Sequence, residues 1–210
     1  MLNLNKFGLY PFNPNVGQKI QSQVADILGD AAFLYHMSIS AIDAIVSDTN
    51  AIKADIVALI DNPVVVETLI TNPTIVRNIT ATVKGTVGDV KAVQVLIEGT
   101  NVNNEVISES LPAFTVDTLG TKIGTKAFKT VTKITVPAMD GAGVIVDIGF
   151  GEVVGLPFKL SHNTLFASFK NNVKEVTDST VLFDSAHFEN NTIKLNSAFD
   201  GTVVDVYFMV

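Results

Sequence analysis

The stretch GTKIGTKAFKTVTKITVPA, residues 120–138, places threonine or lysine at nearly every second position of an otherwise apolar run. Such alternation is typical of a half-buried β-strand. The even-numbered residues 130–136 are predicted to line one face. The odd-numbered residues, with Lys129 and Lys133, line the other face, where the lysines stay solvated and discourage further strand pairing. Pro137 then ends the hydrogen-bonded ladder because proline has no amide hydrogen. The stretch predicts a structural strand.

Strand patterns continue on both sides of this stretch, with turn signals between them. Asn101–Asn104 is predicted to form a hairpin turn, and Asp140-Gly141 is a strong turn pair between TVTKITV and GVIVDIGF. Short strands separated by regular turn signals indicate an antiparallel sandwich. We therefore predict an antiparallel β-sandwich over residues 75–155 and a smaller β unit over residues 156–210. The last strand, within GTVVDVYFMV, should turn Val204, Val206 and Phe208 to one side and Val203, Asp205 and Tyr207 to the other.

Residues 1–61 show a different periodicity. After an irregular arm, apolar residues recur from Val24 in alternating steps of four and three, the a/d pattern of a coiled coil. Isoleucine dominates this seam from Ile42 on, which favours three or four strands over two. The residues predicted to mediate oligomerisation, as a homotrimer, are Ile42, Ile45, Thr49, Ile52, Ile56 and Leu59. An alternative, which the pattern leaves open, is two shorter amphipathic helices packed on the protein's own core.

A connector over residues 62–74 separates this helical segment from the strands. It is bounded by Asn62-Pro63 and Asn72-Pro73, and proline removes a backbone donor and biases its predecessor away from helical angles. The predicted fold class is therefore α+β. An N-terminal helical segment, with a short coiled coil as one of its two interpretations, is followed by antiparallel β-sandwich-like structure.

The composition excludes several classes of function. The chain of 210 residues has no cysteine, which removes disulfides, thiolate metal sites and cysteine nucleophiles. Its 14 basic and 21 acidic residues give a net charge of -7, which would repel a phosphate backbone, so we expect no nucleic-acid partner. No run approaches the ~20 apolar residues of a membrane span, and the first residues lack a signal-peptide pattern, so we expect no membrane partner.

No catalytic or metal-binding motif emerges from the sequence. The histidines, His36, His162 and His187, lie in different segments without the spacing of metal ligands. Glu105 and Glu109 are four residues apart, so a strand would place them on one face, where paired acids could hydrolyse glycosides. Two solvated acids on a polar face are the favoured interpretation. We predict that the protein is not an enzyme and has no metal and no cofactor.

Three stretches carry a resemblance to known proteins: residues 93–114, VQVLIEGTNVNNEVISESLPAF; residues 124–160, from GTKAFKTVTKITV to GLPFKL; and the closing NSAFDGTVVDVYFMV. They resemble segments that recur in structural proteins of tailed bacteriophages. The resemblance implies a virion structural protein assembled in the host cytoplasm, namely a head decoration or head-fibre protein that binds the major capsid protein as an oligomer. The alternatives are a tail or baseplate component, or a module that binds host-surface carbohydrate.

Overall fold

The computed structural model describes residues 18–21, 28–31 and 34–210. These residues form strands, turns and two short 3-10 turns, at Val87–Asp89 and Phe188–Asn190. The strands are β1 (Gln18–Gln21), β2 (Leu28–Ala31), β3 (Leu34–Ile39), β4 (Asp48–Val57), β5 (Val64–Val66), β6 (Arg77–Gly85), β7 (Leu96–Thr100), β8 (Val106–Ser110), β9 (Gly120–Phe128), β10 (Thr130–Val136), β11 (Val144–Gly155), β12 (Leu165–Lys170), β13 (Val173–Lys174), β14 (Thr180–Leu182), β15 (Thr192–Lys194) and β16 (Val204–Met209).

The predicted α+β class is wrong, because the described part of the N-terminal segment is β structure. Within residues 34–57, expected to be helical and to carry a coiled coil, residues 34–39 form β3 and residues 48–57 form β4. Threonine, isoleucine and valine are frequent in β4, and these β-branched residues favour strands. Pairing along β11 then supplies hydrogen bonds and a buried face that override the local pattern. The irregular arm before residue 18, and Val24, lie outside the described residues.

The largest sheet is organised around β11, the longest strand. Its strand order is β14-β15-β11-β6-β9, and β4 also pairs with β11. Ile148 of β11 lies between Ala81 of β6 and Lys53 of β4, so β6 and β4 occupy opposite edges of β11. β11 is therefore buried between neighbours along most of its length, and nearly all of its side chains are buried or half-buried.

A second antiparallel sheet, ordered β5-β10-β7-β8, shares one hydrophobic core with the first. The core combines Ile79 and Ile148 of the first sheet with Ile97 and Ile134 of the second, all of them fully buried. The strand predicted over TVTKITV is confirmed as β10. It lies between β5 and β7, however, so the prediction that its lysines keep further strands away is wrong. The Asp140-Gly141 turn leads from one sheet into the other.

A third sheet, ordered β13-β12-β16-β3, covers a separate hydrophobic core. β16 pairs with β3 over its whole length, from Val204 opposite Ile39 to Met209 opposite Leu34. Val206 and Phe208 are fully buried, while Asp205 and Tyr207 face outward, which confirms the predicted alternation of the last strand. Strand pairs cross the boundaries drawn from the sequence: β3 joins β16, and β4 and β15 both join β11.

Candidate functional site

Asn78 is the polar side chain with the clearest structural task. It is fully buried on β6, and its two neighbouring strands both bulge beside it. Its Nδ2 group donates to the Gly124 carbonyl of the β9 bulge at 2.9 Å, and its Oδ1 accepts from the Val153 amide of the β11 bulge at 3.1 Å. A bulge leaves backbone groups without ladder partners. One amide side chain therefore satisfies backbone on both sides of β6.

The acids that the sequence offered for catalysis have similar tasks. Glu109 accepts the Thr125 amide at 2.7 Å and the Lys126 amide at 3.3 Å, again in the β9 bulge. Glu105 accepts instead from the side-chain amide of the buried Asn101 at 2.8 Å. The two carboxylates thus bind different groups, and Glu109 is half-buried, not solvated as predicted. Glu109 thus accepts hydrogen bonds from backbone amides, and Glu105 accepts one from a side-chain amide.

Two further bulges are held in the same way. In β4, Asp55 adopts a positive φ of 55°, and its amide donates to Asp147 Oδ1 at 2.8 Å. Asp147 is buried and pairs through its other oxygen with Lys84 at 2.5 Å, and this hydrogen bond is the main cause that raises the pKa of Lys84. In β10, the Val131 amide donates to Asn72 Oδ1 at 2.7 Å, next to the register shift of that strand.

Arg77 is a buried cation without a carboxylate partner among the described residues. Its side chain packs between the rings of Phe150, at 4.5 Å, and Phe199, at 5.0 Å, and one guanidinium nitrogen donates to the Ile45 carbonyl at 3.0 Å. Nε and Nη2 have no partner in the described structure. Burial lowers the pKa of Arg77 to about 10, against a smaller opposing effect of Glu152. A buried unpaired charge of this kind is a cost to stability.

The residues predicted to mediate oligomerisation fall into two groups. Ile52 and Ile56 are buried in the core shared by the first two sheets. Four stay at the surface: Ile42, Ile45, Thr49 and Leu59. The structure therefore does not bring the six side chains together as one seam.

The outward face of the third sheet carries a groove of about 340 Å³ that the sequence analysis did not identify. Phe169 and Tyr207 form part of its wall, in an edge-to-face contact with ring centres 5.8 Å apart. His36 stacks on Tyr207 at 4.6 Å, with the two rings nearly parallel. The residues that line the groove are Leu34, Phe166, Phe169, Asn172, Asp205 and Tyr207. We call these six residues the aromatic groove.

A bulge in β12 directs Phe166 into the aromatic groove. Leu165 lies opposite Phe208 and Ala167 opposite Tyr207, so Phe166 is the extra residue of its strand. Bulges re-aim side chains, and here the result is a phenylalanine with 62% of its surface exposed. The sequence signal was present in TLFASF, where phenylalanines three residues apart break the strand alternation, but only the register shows that both belong to one groove.

Two polar side chains complete the aromatic groove. His36 Nε2 lies 2.7 Å from Asp205 Oδ1, so the ring must carry its proton on Nε2 when the carboxylate is ionised. Hydrogen bonding, first from His36 and then from Ser38, lowers the pKa of Asp205 and keeps it charged. Asn172 is exposed at the turn between β12 and β13, where it adopts a φ of 60°.

A second cavity, of about 220 Å³, lies beside Asn78 and is lined by Thr49, Thr80 and Thr121 among others. Its notable feature is the Thr80 hydroxyl, which is buried and has no hydrogen-bond partner in the described structure. Within the described residues, the Thr80 hydroxyl therefore contributes no hydrogen bond to the fold.

The other histidines and the comparisons add little chemistry. His187 contacts Asp184 at 3.0 Å and His162 contacts Ser161 at 2.9 Å, far from each other in the chain. Within the described residues, no three histidine or acidic side chains are placed to hold a metal ion. No helix in that part of the chain is long and apolar enough to cross a membrane. Comparisons with protein-family models, curated proteins and solved structures gave no match.

Proposed function

We propose that the protein is a structural component of a bacteriophage virion that works by binding other protein surfaces, as a head decoration or head-fibre protein. The resemblance of residues 93–114, 124–160 and 196–210 to phage structural proteins supports this proposal. The β-sheet architecture is compatible with it. These amide and carboxylate side chains contribute to assembly of the fold, since they bond to bulged backbone.

The observation that carries the proposal is a concentration of exposed apolar side chains. Of the 21 large hydrophobic residues exposed on the described surface, eight lie between residues 42 and 69, among them Ile42, Leu59 and Leu69. An exposed apolar side chain gains free energy when a partner protein covers it, so this stretch of the chain is a candidate contact. We name residues 42–69 the apolar segment, and we propose that it contacts further copies of the chain or the capsid.

Self-association is proposed here without a coiled coil, because β4 occupies the place of the predicted seam. The homotrimer stays a prediction whose test is the mass in solution. Ile42→Asp combined with Leu59→Asp should lower the association constant, since each isoleucine or leucine that leaves water contributes roughly 1.5 to 3 kcal/mol. Val176→Asp is the matched control, because Val176 is fully exposed but lies outside the apolar segment.

Sedimentation equilibrium measures this directly. A wild-type mass near 22.4 kDa at micromolar concentration would remove self-association from the proposal. An oligomer that survives the double substitution would exclude the apolar segment as its interface.

Gold-labelled antibodies against the purified protein test the location. The particles to be tested are those produced by cells that carry the gene for this protein. The heads of these particles should bind the label. Label confined to tails would favour the tail or baseplate alternative, and particles without label would refute the virion proposal.

A further inference from the structure

We propose that the aromatic groove is a binding site for a pyranose sugar. A pyranose presents C–H groups on its two faces and hydroxyls around its edge, so it needs a flat apolar surface with hydrogen-bonding groups at the border. The aromatic groove provides both. Phe166, Phe169 and Tyr207 supply the apolar surface, and Asp205 and Asn172 supply the polar border.

The exposure of Phe166 is the first argument. In a regular register with β16, Phe166 would lie opposite Phe208, which is fully buried, but the bulge places Leu165 there instead and leaves 62% of Phe166 exposed at the groove. Exposing so much apolar surface has a free-energy cost that a regular strand would avoid. A ligand that stacks on the ring recovers that energy.

The orientation of the polar border is the second argument. Asp205 is fixed by His36 at 2.7 Å and still has acceptor capacity, because each carboxylate oxygen can accept two hydrogen bonds. The Asn172 side chain offers two hydrogen-bond donors and an acceptor. It lies in a turn whose backbone is fixed because Lys170 and Val173, on either side of the turn, pair with each other. These groups match sugar hydroxyls, which both donate and accept.

Size and charge narrow the ligand further. A groove of about 340 Å³ is at the small end of the range for ligand pockets, so it suits one or two sugar rings. Aromatic rings beside a carboxylate also attract organic cations. Here, however, the carboxylate is already hydrogen-bonded to His36, and the other polar groups, Asn172 and the Tyr207 phenol, are neutral. This set fits a neutral polyhydroxyl ligand better than a cation.

Saturation-transfer NMR on the full chain tests the inference. The probes are the methyl glycosides of glucose, galactose, mannose, N-acetylglucosamine and rhamnose, with the matching disaccharides, and tetramethylammonium chloride as the cation. At least one glycoside should receive saturation at its ring protons. Phe166→Ala should weaken the best ligand about tenfold or more, the loss expected for a stacking contact. Phe183→Ala is the matched control, since Phe183 is 48% exposed but does not line the groove.

A second variant guards against misfolding. Asn172→Gly removes the amide while glycine keeps the positive φ without strain, so the turn should form and sugar affinity should still fall. Thermal melts of the variants check that the fold is intact. The inference is overturned if no sugar receives saturation, if Phe166→Ala binds as wild type does, or if tetramethylammonium binds and the sugars do not. None of these outcomes depends on where the protein lies in a virion.

Discussion

Replacing Asn78 by aspartate tests whether one amide holds two bulges. An ionised aspartate keeps the acceptor for the Val153 amide but places a charged oxygen 2.9 Å from the Gly124 carbonyl, where Asn78 Nδ2 now donates. A protonated aspartate can donate to that carbonyl through its O–H group. Because Asn78 is fully buried, desolvation and the facing carbonyl both favour the neutral acid. The pKa of the new carboxyl should therefore lie above its ordinary value of about 3.9 in the folded state.

The sign of the pH dependence follows from this raised pKa. Between the unfolded and the folded pKa, the folded variant binds more protons than the unfolded one, so its stability relative to wild type falls as pH rises. A tenfold change in the proton affinity of the carboxyl corresponds to about 1.4 kcal/mol. Asn78→Leu loses both hydrogen bonds at every pH. Leaving the buried Gly124 carbonyl and the half-buried Val153 amide unpaired should cost up to roughly 6 kcal/mol, at about 1 to 3 kcal/mol for each fully buried group.

Urea unfolding followed by far-ultraviolet circular dichroism, at several pH values from about 4 to 8, measures these differences. Asn78→Asp should be close to wild type at the acid end and clearly less stable at pH 8. Asn163→Asp is the matched control, because Asn163 Oδ1 accepts the Leu165 amide at 3.0 Å on the surface, where aspartate can do the same in water. A penalty for Asn78→Asp that is absent, or equal at both ends of the pH range, would refute the proposed role of the amide.

Three further predictions concern polar side chains of β6. Arg77→Met should leave the free energy of unfolding unchanged or raise it by roughly 1 to 3 kcal/mol, since Nε and Nη2 of Arg77 are buried without partners in the described structure; a large loss in urea unfolding would contradict this. Thr80→Val should stabilise the fold by about 1 kcal/mol, because the Thr80 hydroxyl has no partner in the described structure. Thr130→Val is the control: it removes a hydrogen-bonded hydroxyl and should lower the melting temperature, whereas Thr80→Val should raise it. The raised pKa of Lys84, caused first by its hydrogen bond to Asp147, gives stability that is fully present below the unfolded pKa of about 10.5 and is lost as pH rises through the higher folded pKa. The alkaline fall in stability should be smaller in Lys84→Met, and equal slopes would count against the pair.

Much of the β structure could be predicted because alternation and turn chemistry act locally. The turn at Asn101–Asn104 is confirmed: the Asn104 amide donates to the Asn101 carbonyl, and Thr100 lies opposite Val106 in the hairpin. Likewise β16 follows its predicted faces. In these elements each residue's burial is set by its immediate neighbours, so the sequence pattern carries the information.

The aromatic groove could not be predicted, because its parts come from distant segments. Leu34 belongs to β3, Phe166 and Phe169 belong to β12, and Asp205 and Tyr207 belong to β16. Only the pairing of β16 with both other strands brings them together. The bulge that exposes Phe166 is a property of strand register, which long-range pairing determines.

The failed helix prediction has the same origin. Two apolar residues four apart share a face in a helix and also in a regular strand, so this spacing alone does not separate the two. A spacing of three is the usual evidence for a helix. A bulge removes that evidence, because its extra residue lets side chains three apart point into the same core. Val131 and Ile134 in β10 show this: both are buried in the core shared by two sheets, and the register shifts between them.

A sequence with many bulges therefore imitates the alternation of threes and fours that is typical of a coiled coil. The difference lies in the partner that each bulge requires. An extra residue in a strand leaves an amide that a helix would bond internally, and in this chain that amide finds a polar side chain elsewhere, as the Val131 amide finds Asn72 and the Asp55 amide finds Asp147. The partners are 59 and 92 residues away along the chain. A local sequence pattern therefore does not reveal the polar residues that stabilise the bulges. An alternation of threes and fours indicates a helix only where no distant polar side chain is available to accept the amide of a bulge.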